Sequence, residues 1–237
     1  MKIIRATDRH FSDIGWLKTC WLFSFADYFD PDNVHFGAVR VFNDDIVAPQ
    51  SGFPKHPHRE MEIITVVLEG AITHEDSMGN RTVVAAGDVQ RMTAGTGVTH
   101  SEFNLADQPV HLYQIWMVPG TPRLPPSYAQ QHFEPGQWRN RLLPVASGQG
   151  LPDAVTFHTD ATIYRAALDA GRKIDFDAVP ERGVFIYSSH GRLSVNGEEL
   201  AQNDQLRIQA GGPLHLTALE NTGFILIDTP AYKGSDL

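Results

Sequence analysis

The sequence predicts an all-β chain with an internal duplication, and three observations carry that prediction. Short apolar runs rich in β-branched and aromatic residues are separated by turn residues, with 20 glycines and 15 prolines spread among them. That is the texture of strands and tight turns rather than of helices. The two halves also align as text, "IITVVLEGAITHEDSMGNRTVVAAGDVQ" beside "GVFIYSSHGRLSVNGEELAQNDQLRIQ". Each has an apolar strand, a glycine (Gly70, Gly191), a second strand, a glycine-bearing hairpin and an aspartate turn (Asp88, Asp204) opening another strand. A repeated supersecondary unit is the simplest source of such a pattern. Finally, a stretch rich in proline, glutamine and arginine separates the halves, which divides the chain into a domain over 1–120, a linker over 121–150 and a second domain over 151–237.

In chain order, "GWLKTCWLFSFADYF" and "FGAVRVFNDDIVAP" supply the first strands. "MEIITVVLEG", "AITHEDSMGNRTVVAAGDVQRMTAG" and "VHLYQIWMVPG" follow, with Asp76 to Asn80 as a hairpin loop. After the linker, strands return in "VTFHTDATIYRAAL", "GVFIYSSHGRLSVNGEELAQNDQLRIQA" and "PLHLTALENTGFILID", and the tail "AYKGSDL" is expected to be loose or lightly docked.

Composition narrows the function classes. With 237 residues, 42% hydrophobic and 20% charged, the chain can bury a core and is not wholesale disordered. A net charge of -9 argues against direct nucleic-acid binding, which draws its affinity from lysine and arginine at phosphates; a protein partner stays open. The single cysteine, Cys20, forms no internal disulfide and reads as a packing residue. The N-terminus lacks an apolar signal core and no run is long enough to span a membrane, so a cytoplasmic location is expected.

Chemistry concentrates in two short pairs. In an extended segment, residues i and i+2 face the same way, so His56 and His58 in "KHPHR" project together. Pro57 between them lacks a backbone donor, which places the pair at a strand start or a sheet edge. Taken alone, the pair is as readable as two solvated histidines as half of a metal site. Farther on, "AGTGVTHSEFN" places His100 and Glu102 at the same spacing behind a glycine-rich turn. Three imidazoles and a carboxylate suit one divalent transition metal, Fe(II), Ni, Cu, Mn, Co or Zn. The lack of thiolates makes a structural zinc site a poor fit. His74, His111, His158, His190 and His215 read as surface or satisfied core groups.

"GFPKHPHREME" followed by "LEG", and "GDVQRMTAGTGVTHSEFN", resemble the two cupin motifs in the form carried by bacterial pirin-like proteins, and "FSFADYFDP", "RVFNDD", "HEDSMGN" and "LYQIW" extend the resemblance over the first half. It implies a bicupin, two tandem cupin barrels, with a metal held by His56, His58, His100 and Glu102 in the first barrel and none in the second. Stepping back from Gly191 as His56 stands from Gly70 lands on Asp177, with Val179 at the partner position, and neither continues a histidine pair. Glu62 occupies the glutamate position of the general cupin motif; in the pirin form that role passes to Glu102, which leaves Glu62 outside the ligand set. Two spellings depart from the pattern, "REME" after the histidines and Thr93 at a usual proline.

The resemblance further implies quercetin 2,3-dioxygenase activity, with a flavonol and O2 as substrates, Fe(II) as the first candidate metal and Glu102 as the group that accepts the flavonol proton. Phe53, Met92 and Phe103 are candidates for the apolar wall. Two other readings stand beside it: a metal- or redox-dependent regulator of a transcription factor or enzyme, and a metal-bound storage cupin without chemistry. Two covalently joined barrels already mimic a cupin dimer, so a monomer is expected.

Overall fold

In a computed structural model that describes residues 1–231, the β-branched and aromatic runs become strands of four antiparallel-dominated sheets. The N-terminal half has a seven-stranded sheet in the order Ser127–His132, Asp88–Thr93, Glu62–Glu69, Val110–Met117, Val39–Val47, Leu17–Trp21, His10–Asp13. A four-stranded sheet, Ser51–His58, Val98–Asn104, Ala71–Asp76, Arg81–Ala85, closes its barrel. The C-terminal half repeats the plan. Its seven-stranded sheet runs Lys2–Ile4, Gln205–Ile208, Arg182–His190, Thr222–Pro230, Thr162–Leu168, Leu143–Ser147, Val155–Thr156, and its four-stranded sheet runs Lys173–Asp177, Pro213–Ala218, Leu193–Val195, Glu198–Leu200. This is the bicupin architecture expected from the sequence.

The duplication reaches individual atoms. Gly70 and Gly191 both have positive φ, 74° and 72°, and at both a Cβ would collide with the backbone of a neighbouring strand, so each turn requires glycine. Asp88 Oδ2 accepts a hydrogen bond from the Ala85 amide at 2.8 Å, and Asp204 Oδ2 accepts one from the Ala201 amide at 3.0 Å.

Strand alternation sorts the side chains into three layers. On Val110–Met117, Tyr113 and Ile115 face the other half, while Leu112 packs inside the N-terminal barrel with Val67 and Ile72. The two seven-stranded sheets therefore share a middle core, in which Ile64, Val66, Phe42 and Tyr113 meet Phe185, Tyr187, Ile225 and Ile227. Each large apolar side chain fully removed from water there contributes roughly 1.5–3 kcal/mol, which makes the two barrels mutually dependent. Cys20 packs partly buried against this layer. The C-terminal barrel has its own apolar filling, including Leu193, Leu214, Leu216 and Leu226.

The 121–150 stretch, expected as a linker, carries strands at Ser127–His132 and Leu143–Ser147, one joined to each half, and Lys2–Ile4 pairs with Gln205–Ile208 of the other half. The first of these strands is half-buried at a sheet edge, where polar residues find solvent or side-chain partners and no alternating pattern is needed. Tyr128 there hydrogen-bonds Gln130 and pairs with Thr82. Among the described residues, no helix is long and apolar enough to cross a membrane. The tail "AYKGSDL" lies, from residue 232 on, outside the described residues.

Candidate metal centre

Ser51–His58 is an edge strand that pairs with Val98–Asn104 alone, so the missing amide of Pro57 costs no ladder bond. The register sets His56 opposite His100 and His58 opposite Val98, then slips between His100 and Glu102 so that Glu102 falls opposite Phe53. On its other side, Val98–Asn104 sets Glu102 opposite His74 and His100 opposite Asp76. Val98, His100, Glu102 and Asn104 are the buried members of their alternating strand.

The candidate donor atoms of His56, His58 and His100 all lie within 4.8 Å of one another. Glu102 falls in a second such group, with His100 and His74. His100 thus belongs to both groups and links the carboxylate to the imidazole trio.

Hydrogen bonds choose the tautomers. His56 Nδ1 donates to the Pro54 carbonyl at 2.8 Å, which leaves Nε2 as a free lone pair. His74 Nε2 donates to Asp76 Oδ2 at 3.1 Å, so His74 Nδ1 is an acceptor facing His100 Nδ1 at 3.4 Å. His100 then carries its proton on Nδ1 and turns a lone pair on Nε2 towards His56 Nε2, 3.1 Å away. Two lone pairs at that separation repel unless a cation lies beside them. Orientation of a metal-binding imidazole by a hydrogen bond to its other nitrogen is a general feature of such sites.

The electrostatics favour neutral donors. Burial, and then the neighbouring imidazoles His56 and His58, push His100 down to about 2, while burial and His56 push His58 down to about 4. Burial also pulls His74 down, against the pull of Asp76. Burial drives Asp76 upward, but hydrogen bonds from Asn80, His74 and Met78 outweigh it and hold the carboxyl below its usual value. Glu102 is 2% exposed and its carboxyl is pushed up to about 7 by burial, against the hydrogen bond from Gln114 Nε2 to Oε2 at 2.6 Å. Its Oε1 is buried with no hydrogen-bond partner. A buried orphan oxygen beside converging imidazole lone pairs is the donor set that a divalent first-row metal satisfies.

These groups open onto a cavity of about 300 Å³. Trp21, Phe25 and Trp116 form an edge-to-face chain at 5.5 and 5.3 Å, and Trp116 meets the His58 ring at 4.8 Å. Phe53 and Pro54 complete that side, and Asn43, Asp45 and Gln114 add polar groups. Burial pushes Asp45 up to about 7.

Of the three wall candidates, Phe53 alone lines this cavity. Phe103 follows Glu102 on one strand and so faces the other way, and Met92 is fully buried against Ile63 and Val98. Glu62 also points away from the cavity. Its carboxylate accepts the Thr93 hydroxyl at 3.0 Å and meets His158 Nδ1 at 3.3 Å, tying the N-terminal sheet to the other half. Thr93 at the usual proline therefore supplies a hydrogen bond that proline could not.

Sequence reading missed His74 and Asp76 as part of the centre, although "THED" repeats the i, i+2 spacing of His100 and Glu102. It also missed Asn43 and Asp45, which interrupt an inward row otherwise made of Val41 and Val47. The other histidines do have partners: His111 with Asp44 at 2.6 Å, His215 with Asp175 at 2.8 Å and His190 with Ser189 at 3.2 Å.

Comparison with known proteins identifies what the chain is similar to. The Pirin family model matches residues 4–117, and the model described as quercetinase C-terminal cupin domain matches residues 144–229. A pirin-like protein of Caulobacter vibrioides is 41% identical over 92% of this chain and 94% of its own length. Quercetin 2,3-dioxygenase of Escherichia coli is 37% identical, covering 95% of this chain and 97% of that protein. The crystal structure of the bacterial pirin YhhW of Escherichia coli in complex with nickel(II) superposes with a TM-score of 0.92 at 36% identity, covering 98% of this chain and 99% of that one.

Proposed function

The chain belongs to the pirin family, and we propose that its N-terminal barrel is a metal-dependent dioxygenase site that opens the central ring of flavonols with O2 and releases carbon monoxide. The observation that carries this reading is the arrangement at one cavity floor. Three imidazoles converge, and a buried carboxylate with a free oxygen stands beside them under an aromatic wall.

His56, His58, His100 and Glu102 would hold the metal. When bound, it supplies acidification of a chelating enol hydroxyl and a place for dioxygen beside the substrate. Glu102 accepts the proton of the flavonol 3-hydroxyl. Gln114 donates to Oε2 and leaves Oε1 without a hydrogen-bond partner, as the oxygen that would face the metal and the chelated hydroxyl. Trp21, Phe25 and Trp116 receive the flat rings edge-on or face-on and keep water from the electron-rich flavonolate, while Asn43 and Asp45 are placed to meet ring hydroxyls.

The test is oxygen uptake and carbon monoxide release by metal-loaded protein with quercetin, beside elemental analysis of protein purified without chelators. Saturable uptake in the wild type that His58→Ala abolishes supports the assignment. Metal-replete protein with no uptake overturns it and leaves a regulatory role for the same site.

A further inference from the structure

A second cavity, of about 430 Å³, opens between the two barrels. On Val110–Met117, Gln114 and Trp116 line the metal cavity whereas His111 and Tyr113 line this one, so the two lie on opposite faces of the same sheet. Its distinguishing group is Arg165 on Thr162–Leu168. The guanidinium stacks 4.0 Å over the Trp138 ring, and its Nη1 is buried with no hydrogen-bond partner. Among the described residues Arg165 makes no ion pair, and burial pulls its pKa down to about 10.

A half-buried guanidinium whose Nη1 is sealed from water without a partner is costly, since desolvating an ion is unfavourable unless an opposite charge restores it. The nearby carboxylates do not restore it. Asp44 is occupied by His111 at 2.6 Å and by the Tyr187 hydroxyl at 2.6 Å, and Glu69 at the cavity's mouth is exposed. Around the guanidinium stand Ser189, Gln202 and His190, the last held below its usual pKa by burial and then by Arg165. A Cβ at Gly223 would collide with the His190 ring, so glycine there is what lets that ring occupy the cavity wall. Ile225, the cross-strand neighbour of Arg165, and Leu68 of the other half provide apolar surface in the same cavity.

We propose that this inter-barrel cavity is a second ligand site, taking a small organic monocarboxylate with a flat apolar body. Its carboxylate is held by the guanidinium of Arg165, and its body rests on Leu68 and Ile225. One unpaired guanidinium matches one carboxylate in a forked, charge-assisted pair. A polyanion is disfavoured by Glu69 at the mouth and by the chain's net charge of -9. The site is independent of the metal centre.

Benzoate titrated into the full-length, metal-loaded protein, followed by backbone amide NMR, tests it. Saturable shifts at Ser189, His190 and Gly223 are expected, with at least tenfold weaker binding in Arg165→Met and unchanged binding in His58→Ala. Absence of saturable shifts at those amides in the wild type overturns the site without reference to any variant. Full affinity in Arg165→Met overturns the role of the guanidinium, and tighter binding of inorganic phosphate than of benzoate overturns the ligand class. Oxygen uptake with quercetin does not enter this readout, so failure here is separable from failure of the dioxygenase reading.

Discussion

The four-stranded sheets of the two barrels have the same strand order and the same alternation, and differ in what their inward positions carry. In the N-terminal sheet the inward residues include His56 and His58 at the edge, His100 and Glu102 beside them, and His74 next. In the C-terminal sheet the corresponding strands turn in Ile174 and Phe176, Leu214 and Leu216, and Leu193 and Val195. One scaffold therefore yields a filled apolar core or a polar cavity, according to whether every second residue on three strands is aliphatic or aromatic, or instead imidazole and carboxylate. The polar version carries a cost that the apolar one avoids. Buried carboxylate oxygens without a well-formed hydrogen bond, Glu102 Oε1 and Asp45 Oδ1, lie inside the N-terminal barrel, where Gln90 and Thr65 beside Glu102 and Thr19 beside Asp45 offset only part of the burial, and a buried polar atom left unpaired costs about 1–3 kcal/mol until a ligand, ion or water satisfies it.

The strongest way to break the contrast is to remove the residue shared by both donor groups. His100→Ala should lower metal affinity by about 100-fold or more, since even partners one layer behind a ligand are worth 10–100-fold, and flavonol-dependent oxygen uptake should fall to background. Metal content per folded protein checks it, and retention of stoichiometric metal would detach His100 from the centre. The matching change in the apolar barrel acts on stability instead. Leu216→Ala, at a fully buried position, should cost about 2–5 kcal/mol in denaturant unfolding while metal per folded molecule stays at the wild-type level.

A smaller effect is expected one layer out. Asp76 holds His74 and, through it, the tautomer of His100. Asp76→Asn should weaken metal binding by about 10–100-fold in a chelator competition. His74→Phe should do the same, whereas Glu75→Gln, on the opposite face of that strand, should leave the metal in place. Equal losses in all three would make the effect one of hairpin stability rather than of tautomer control.

This division of labour was legible in the sequence where a rule acts locally. Alternation, the glycines at 70 and 191 and the hairpin at Asp76–Asn80 are short-range signals, and the strands and turns follow them. The pairs His56/His58 and His100/Glu102 announce a common face because period 2 is a property of one strand. What a single strand cannot reveal is register between strands. The slip beside Glu102 and the placement of Asp76 opposite His100 arise from pairing, so the third pair, His74 and Asp76, read as ordinary. The strands at Ser127–His132 and Leu143–Ser147 stayed hidden for a related reason. Ser127–His132 is an edge strand with little apolar alternation, Leu143–Ser147 is a five-residue strand flanked on one side by the two-residue Val155–Thr156, and their partners lie in different halves of the chain. Arg165 gave no local signal at all, since its meaning depends on the absence of a carboxylate across the barrel interface.

The smallest expected difference between the barrels lies in pH dependence. Asp45, 2% exposed, is pushed from the ordinary 3.8 up to about 7, chiefly by burial, with Thr19 pulling the other way. The folded protein therefore keeps this proton over an interval in which the unfolded chain has released it. Stability from the protonated form is fully present below about pH 4 and is lost as pH rises towards 7. That interval caps the effect at about 4 kcal/mol, and water reaching the carboxyl from the open cavity reduces it to on the order of 1 kcal/mol. Urea unfolding of metal-free Asp45→Asn should thus show a shallower fall in stability between pH 4 and 7 than the metal-free wild type, with the remaining slope belonging in part to Glu102, which burial also pushes up to about 7 there. The apolar barrel offers no counterpart on the corresponding strand, Thr162–Leu168, where Tyr164, Ala166 and Leu168 turn into the barrel core. An unchanged slope in Asp45→Asn would mean that water already reaches this carboxyl freely, and that the polar interior is less sealed than its geometry implies.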